Sequence, residues 1–592
     1  MSGASFRLSV FLSAFFSCWA LQLTLGIAVR NPLTVVLFVC FYIMGLKIPR
    51  LGEIKGIVSE VLPVVAGALA AFGLSQYVIA DLSFGSGIFN ILVIWIILVG
   101  YWLLTRLILK SIIEIRHGAH KEKSEHISSR EDNFSGLVRA TAPYNRVFGK
   151  RIFIITAVVC FICYLPYFLY EFPGIMTADS MVQLDQATGQ DLLTNHHPVI
   201  HTFIIGIFYK LGLLVTGNRP TFAIAFYTFF QMIFMCLCCG AAVKETLRIV
   251  KKRSYRFAFA LMFFYALIPF NPVFAVTIWK DVPFAGIAML LCIVITEILR
   301  KGEKSKVSDF VKFTILSILF CLFRSNAWYA YLIFAVAFVI SMRRIRLKQA
   351  LISVITCVVI VLIIKIPVFN ALNIPGPDFT ESLSVPLQQV ARVLVNDRAV
   401  AEEDLAMIDE VIDRTYIHEL YAPGFADNIK ELVRAGHPEV LENNKAGYLG
   451  LWLRLGCQYP GDYLDAWFDL NGGYIYPNVE YKVADADGVM DNIHGIIWNP
   501  LFGGKFIKVK EILIKLSDFM PIYGMLFSAG IYTWALVFSI VRAIRRKKSI
   551  LIQTLMLLLI LTLLIAAPLV TFRYAYAVVM TWPLWLFGAK RI

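Results

Sequence analysis

Apolar runs of about 20 residues, the length a helix needs to cross a bilayer, recur along the whole chain and leave few folds open to it. They occupy residues 8–29, 33–46, 57–79 and 86–104, then 153–170, 222–243, 257–276, 284–299, 310–322, 327–340 and 351–371. Three more follow at 521–541, 550–569 and 574–586. The runs are continuous and do not alternate with polar residues, which excludes a β-barrel. At 59% hydrophobic and only 16% charged residues, a soluble fold is excluded as well. The expected fold is an all-α polytopic membrane protein of about fourteen transmembrane helices. The first run has one basic residue ahead of it, no clean small-residue cleavage site, and another run directly after it. It therefore reads as a span and not as a signal peptide.

The formal charge of +15 sits mostly in short connections, where it reports orientation and does not indicate nucleic-acid binding. Arg7, then Lys47, Arg50 and Lys55, then a basic segment at 116–151 place the N-terminus and that segment on the cytoplasmic side, with Arg30 an exception outside. The apolar run 199–215 conflicts with this bookkeeping. If it crossed, the cations between Lys244 and Arg256 would emerge on the wrong face. If it lies in the interface or re-enters, every later basic cluster falls inside, so a juxtamembrane or re-entrant helix is expected there. The expected organisation is a four-span module (1–110), a basic cytoplasmic linker (111–152) and a membrane core (153–371) whose outside loop is 172–201. A mainly helical extracytoplasmic domain (372–515) is inserted before a last three-span part (516–592). Of the 11 Cys, all but Cys457 lie in apolar runs, which argues against a disulfide framework.

The loop 172–201 carries the densest chemistry. No Lys or Arg occurs between Glu171 and Tyr209, while Asp179, Asp185, Asp191, His196, His197 and His201 do. Asp179 is the leading catalytic candidate, because a carboxylate at a membrane boundary is costly to desolvate, tends to a raised pKa, and so suits a general base. Helix capping beside Thr177 and Ser180 is its plainer role. His196 and His197 read as substrate contacts or hydrogen-bonded structural residues. Asp179, His197 and His201 could together hold a divalent metal, the weaker reading; no other cofactor is implied. Lys280 with Asp281, Arg324 with Asn326, and Arg573 with Tyr574 lie in connections on the same outer side, where cations are less expected. Binding a lipid phosphate is one reason for them; snorkelling and ion pairing are the ordinary ones.

Within 372–515, helices are expected at 401–414, 426–436, 447–457 and 463–470. Trp452, Tyr459, Tyr463, Trp467, Tyr474 and Tyr476 read more readily as a small core with interfacial aromatics than as a sugar-stacking surface. Asp485, Asp487 and Asp491 resemble half a calcium loop, but with glycine at the wrong place. No nucleotide-binding loop, nucleophile elbow or zinc-protease helix is present.

This order resembles the GT-C superfamily of polyprenyl-phosphate-sugar-dependent membrane glycosyltransferases, which includes protein O-mannosyltransferases and aminoarabinose transferases. The resemblance rests on Thr177-Ala178-Asp179-Ser180 soon after a span and His196-His197-Pro198-Val199 ahead of a juxtamembrane helix. The segments TADSMVQ (177–183), NHHPVIHT (195–202), WKDVPF (279–284), FRSNAWY (323–329), VPLQQVARV (385–393) and FRYAY (572–576) look like an uncharacterised group of large Gram-positive bacterial membrane proteins. The resemblance covers residues from about 153 onward. It implies Asp179 as base for an acceptor hydroxyl, Asp281 as a second acidic position and Arg573 as a phosphate contact; Lys280, Arg324, Tyr574, His196 and His197 are the further substrate-binding candidates read from the residues themselves. It further implies a polyprenyl-phosphate-linked sugar donor, a cell-envelope glycopolymer or protein acceptor, and a site on the outer face of the bacterial cytoplasmic membrane. In some branches the soluble domain follows the membrane core; here it is inserted. The rival expectation is a lipid or oligosaccharide flippase or transporter.

Overall fold

The computed structural model describes residues 3–47, 87–121, 144–250 and 255–587. Among these the chain is helical, and extended backbone pairs only at isolated bridges. Seven helices are long and apolar enough to cross a membrane: Ser5–Thr24, Arg151–Tyr170, Val199–Thr216, Pro220–Val250, Asp281–Lys304, Ser325–Met342 and Leu347–Ala371. Four apolar helices of 10–17 residues accompany them. This is the architecture of a helical membrane protein, with seven helices of full spanning length among the described residues.

The differences have local causes. The run 257–276 is broken between Tyr255–Leu267 and Phe270–Ala275, where Pro269 lacks the N–H that a continuous helix requires. The run 574–586 is divided between Phe572–Met580 and Trp582–Phe587, with Pro583 at the restart. At 521–541 regular helix begins only with Ala529, after a 3-10 turn at Gly524–Phe527. The expected span 57–79 lies outside the described residues. Val199–Thr216, expected as a juxtamembrane helix, is not separated from the spanning helices by length or apolarity.

The chain divides into two compact units. The first comprises residues 1–139, 477–479 and 515–528. Its core packs Phe15 and Trp19 against Val93, Ile96, Ile97 and Phe519, and the Trp19 indole donates to the Phe519 carbonyl at 3.0 Å. Arg30, the basic residue that orientation alone did not explain, is buried and faces Asp518 at 3.5 Å. Residues 515–528 thus belong to the same compact unit as the N-terminal helices. The second unit holds residues 140–476, 480–514 and 529–592.

Within the second unit, Glu402–Asp409, Asp427–Ala435, Lys445–Gln458 and Pro460–Asn471 fall where composition put helices. With Ser384–Val395 they close a core around Val393, Ile412, Ile429 and Leu455. The aromatics serve that core and its seat on the apolar helix Leu551–Ala566. The Tyr463 hydroxyl donates to the Trp452 carbonyl at 2.8 Å, the Trp467 indole to the Leu564 carbonyl at 2.8 Å, and the Tyr474 hydroxyl to the Leu569 carbonyl at 2.9 Å.

Candidate active site

The helix Tyr144–Tyr170 ends where the chain must leave helical hydrogen bonding, and the loop after it is held by extended pairing on both sides. Ile175 donates to the Val276 carbonyl at 2.9 Å and accepts from the Ile278 N–H at 3.0 Å. Met176 donates to the Gly488 carbonyl at 3.0 Å and accepts from Met490 at 3.1 Å. The loop is therefore the middle ply of three, between residues 276–278 and 488–490. Gly174 makes the entry possible: its φ is +137°, and a Cβ there would stand 2.4 Å from the Thr228 hydroxyl. Gly174→Ala is expected to destabilise the protein by about 1–3 kcal/mol, read as a lowered thermal midpoint of the detergent-purified protein. An unchanged midpoint would show that the loop can shift away from Thr228.

A buried charge network supports this loop from beneath. Glu171 accepts from the Gly488 N–H at 3.0 Å and from Lys510 at 2.7 Å, and Lys510 also pairs with Asp487. Asp487, one of the three residues that read as half a calcium loop, thus helps to tie the 484–490 segment down. Burial pushes the Glu171 carboxyl up to about 7, and Lys510 only partly offsets it. Nothing in the local sequence pointed to this network, because Glu171 and Lys510 are 339 positions apart.

The helix Ala178–Thr188 starts from this ply with Thr177 as its N-cap. The Ser180 hydroxyl accepts from the Thr177 N–H at 3.1 Å and donates to the Ile278 carbonyl at 2.8 Å. The Trp279 indole donates to the Thr177 hydroxyl at 2.8 Å. Capping falls to Thr177 and Ser180, which leaves Asp179, in the first turn, with its carboxylate free to face elsewhere. It accepts from Arg573 at 2.9 Å.

Around that pair the other candidates assemble. The Arg573 guanidinium lies over the Trp279 ring at 4.8 Å and the Tyr574 ring at 5.1 Å, and Arg324 lies over Tyr574 at 4.7 Å. Arg324 is ion-paired with the buried Asp281. Lys280 donates to His197 Nδ1 at 2.9 Å, and no carboxylate lies within ion-pair distance of it among the described residues. Asp179 and Arg573 keep 29% and 18% of their side chains exposed, enough for a ligand to reach both.

The electrostatics correct one expectation. Burial by itself would raise the Asp179 pKa, but Arg573 and then Lys280 outweigh it and hold the carboxyl well below the usual range. Asp179 is ionised at neutral pH, as a base must be, yet it is a weak base while Arg573 holds it. Burial, reinforced by Lys280, pushes His197 down to about 3, so its imidazole is neutral. Burial pushes Lys280 down to about 8 against the pull of Asp179. His196 is also lowered, chiefly by burial, and Glu381 of the inserted domain is close enough to act on both it and Lys280.

The metal reading does not assemble. Among the described residues no three His, Cys, Asp or Glu side chains come close enough to hold an ion. His201 has both ring nitrogens engaged, with Gln183 at 2.9 Å and the Tyr227 hydroxyl at 2.5 Å. Tyr227 donates onward to Gln231, which donates to the Ala275 and Thr277 carbonyls at 3.0 and 2.7 Å. His201 therefore helps to fix the ply at 276–278 and does not face the site.

A family model described as "Family of unknown function (DUF6020)" matches residues 186–591. The chain belongs to this family. The DUF6020 match takes in His196, His197, Lys280, Asp281, Arg324, Arg573 and Tyr574, and it begins just after Asp179. No curated protein and no solved structure matches the chain.

In this DUF6020 chain, Asp179 and Arg573 lie in the first turns of Ala178–Thr188 and Phe572–Met580, while Lys280 and Arg324 immediately precede Asp281–Lys301 and Ser325–Met342. Four helix N-termini and three cationic side chains face two carboxylates. Helix N-termini carry partial positive charge and free N–H groups, so the cluster suits an anion, and a phosphate above all. Its one partly exposed carboxylate, Asp179, could take a proton. The sequence marked the charged residues but not their partners, and it passed over Trp279, Gln183, Tyr227, Gln231, Glu381 and Lys510. Of these only Trp279, next to Lys280 in a connection with few aromatics, carried a local signal.

Proposed function

We propose that the protein is an inverting membrane glycosyltransferase that moves a sugar from a polyprenyl-phosphate donor to an acceptor hydroxyl on a cell-envelope glycopolymer or protein. It would act at the outer face of the bacterial cytoplasmic membrane. The observation that carries this reading is the convergence of Asp179, Lys280, Arg324 and Arg573 at four helix starts.

The donor is a phosphodiester, and its leaving group gains negative charge as the bond to the anomeric carbon breaks. Arg573 and Lys280, with Arg324 behind them, are placed to stabilise that charge, which matters more here than a general acid. In the same step the acceptor oxygen bonds to the anomeric carbon and its proton passes to Asp179. Engagement of Arg573 by the donor phosphate draws it from Asp179, whose pKa then rises, so the base strengthens only once donor is bound. A flippase or transporter places ionisable groups within its spans; here they gather at helix starts.

The test is transfer by the nanodisc-embedded protein from a labelled polyprenyl-phosphate sugar to candidate acceptors, reading free polyprenyl phosphate and labelled acceptor together. Lys280 loses its proton as pH rises through about 8, so donor affinity and rate are expected to fall there. Lys280→Arg should remove that decline, since a guanidinium stays charged. Movement of labelled lipid between leaflets with no sugar transferred would overturn the reading.

A further inference from the structure

The inserted helical domain contains a cavity of about 340 Å³ that the Asp179 site does not use. Its walls come from Ser384–Val395, Lys445–Gln458 and the helices between them, through Leu387, Val390, Ile412, Val433 and Leu451. Protein interiors are close-packed, and an engineered apolar cavity of ~150 Å³ already stays dry and takes up benzene. An apolar cavity more than twice that size, open on one side of a small domain, is shaped for an apolar occupant.

The polar atoms on its walls narrow the choice. The Tyr448 hydroxyl is committed to the Met407 carbonyl at 2.8 Å and the Trp452 indole to Gln389 at 2.9 Å. Neither is left to read a sugar or a peptide backbone. Lys445 is the one charged side chain on the wall. Its ammonium rests 4.4 Å from the Phe379 ring and 3.9 Å from Glu442, and the side chain is 53% exposed. Leu449, on the wall one turn further along, is 56% exposed, and Leu453 beyond it is 51% exposed. The cavity thus opens beside a cation onto an apolar edge, in a domain seated through Trp467 on the apolar helix Leu551–Ala566.

We propose that this cavity binds the acyl chain of a lipid, with the lipid's anionic head against Lys445. The site is distinct from the Asp179–Arg573 cluster and does not depend on the transfer reaction. An acyl chain asks nothing of the walls except apolar contact, and a carboxylate or phosphate head would compete with Glu442, 3.9 Å away, for the Lys445 ammonium.

The experiment is photolabelling of the full-length protein in nanodiscs with a diazirine-bearing lauric acid, followed by peptide mapping. Adducts are expected within residues 384–395 and 445–458. Leu387→Trp, which fills the cavity, should abolish them. Lys445→Glu, at an exposed position in the first turn of its helix, should reduce them roughly tenfold, equivalent to about 1.4 kcal/mol. Adducts confined to the apolar membrane helices would overturn the proposal. So would labelling of the domain that Lys445→Glu leaves unchanged, whether or not Leu387→Trp folds.

Discussion

Asp179→Asn is expected to lower the rate of sugar transfer by ~10²–10⁴-fold, the range typical of a lost general base, while the protein still folds and binds donor. Asparagine keeps an oxygen to accept from Arg573, so the 2.9 Å contact survives in neutral form and the ply at 175–176, which does not involve this side chain, stays paired. Freed from a carboxylate, Arg573 is more available to the donor phosphate, so donor affinity should hold or improve. A fall in rate at saturating donor with unchanged or tighter binding marks a group that acts in the transition state. Near-normal turnover would sink the assignment of Asp179 as base. Loss of donor binding would instead make it a phosphate-site organiser acting through Arg573.

Lys510→Met should cause the largest loss of stability, and that loss should grow with pH. Glu171 is fully buried and Lys510 nearly so, and removing one partner of such a pair typically costs about 3–5 kcal/mol. Glu171 has its pKa raised from the ordinary 4.5 to about 7. A carboxyl raised in this way contributes stability that is complete below about 4.5 and is lost as pH climbs through about 7. Without Lys510 the folded-state pKa moves higher still, and Glu171 stays protonated in the folded protein while ionised in the unfolded chain. The variant should then lose about 1.4 kcal/mol of stability for each further pH unit. Thermal unfolding followed by tryptophan fluorescence between neutral and alkaline pH would show this as a steepening gap from wild type. Adding Glu171→Gln to Lys510→Met removes the titrating group and should flatten the slope. If the single variant shows no pH-dependent gap, the two charges are more hydrated than their burial indicates.

The helical architecture was largely legible in the apolar runs, because a bilayer demands length and apolarity that composition displays directly. Breaks inside those runs were less so. Pro269 and Pro583 were visible, but a proline inside a membrane helix is often tolerated by its neighbours, so neither forced a restart by itself. The candidate site was legible as a set of charged residues in connections that disfavour cations. Its pairing was not, since Asp179 and Arg573 lie 394 positions apart. That separation is also why the expected rise in the Asp179 pKa was wrong in sign: desolvation was visible locally and the opposing guanidinium was not. The strap at 488–490 and the Glu171–Lys510–Asp487 network escaped for the same reason.

Tyr474 fastens the inserted domain to the backbone just ahead of Arg573. Its hydroxyl donates to the Leu569 carbonyl at 2.9 Å and accepts from the Thr571 N–H at 3.2 Å, and the Ala426 N–H adds a bond to the Pro568 carbonyl at 2.9 Å. Arg573 is two residues past the last of these anchors. The domain and the guanidinium that restrains Asp179 therefore form one lever. On the proposed function, a tilt of the domain on binding an acceptor would reach the Arg573–Asp179 contact through Thr571 and would change the basicity of the carboxylate.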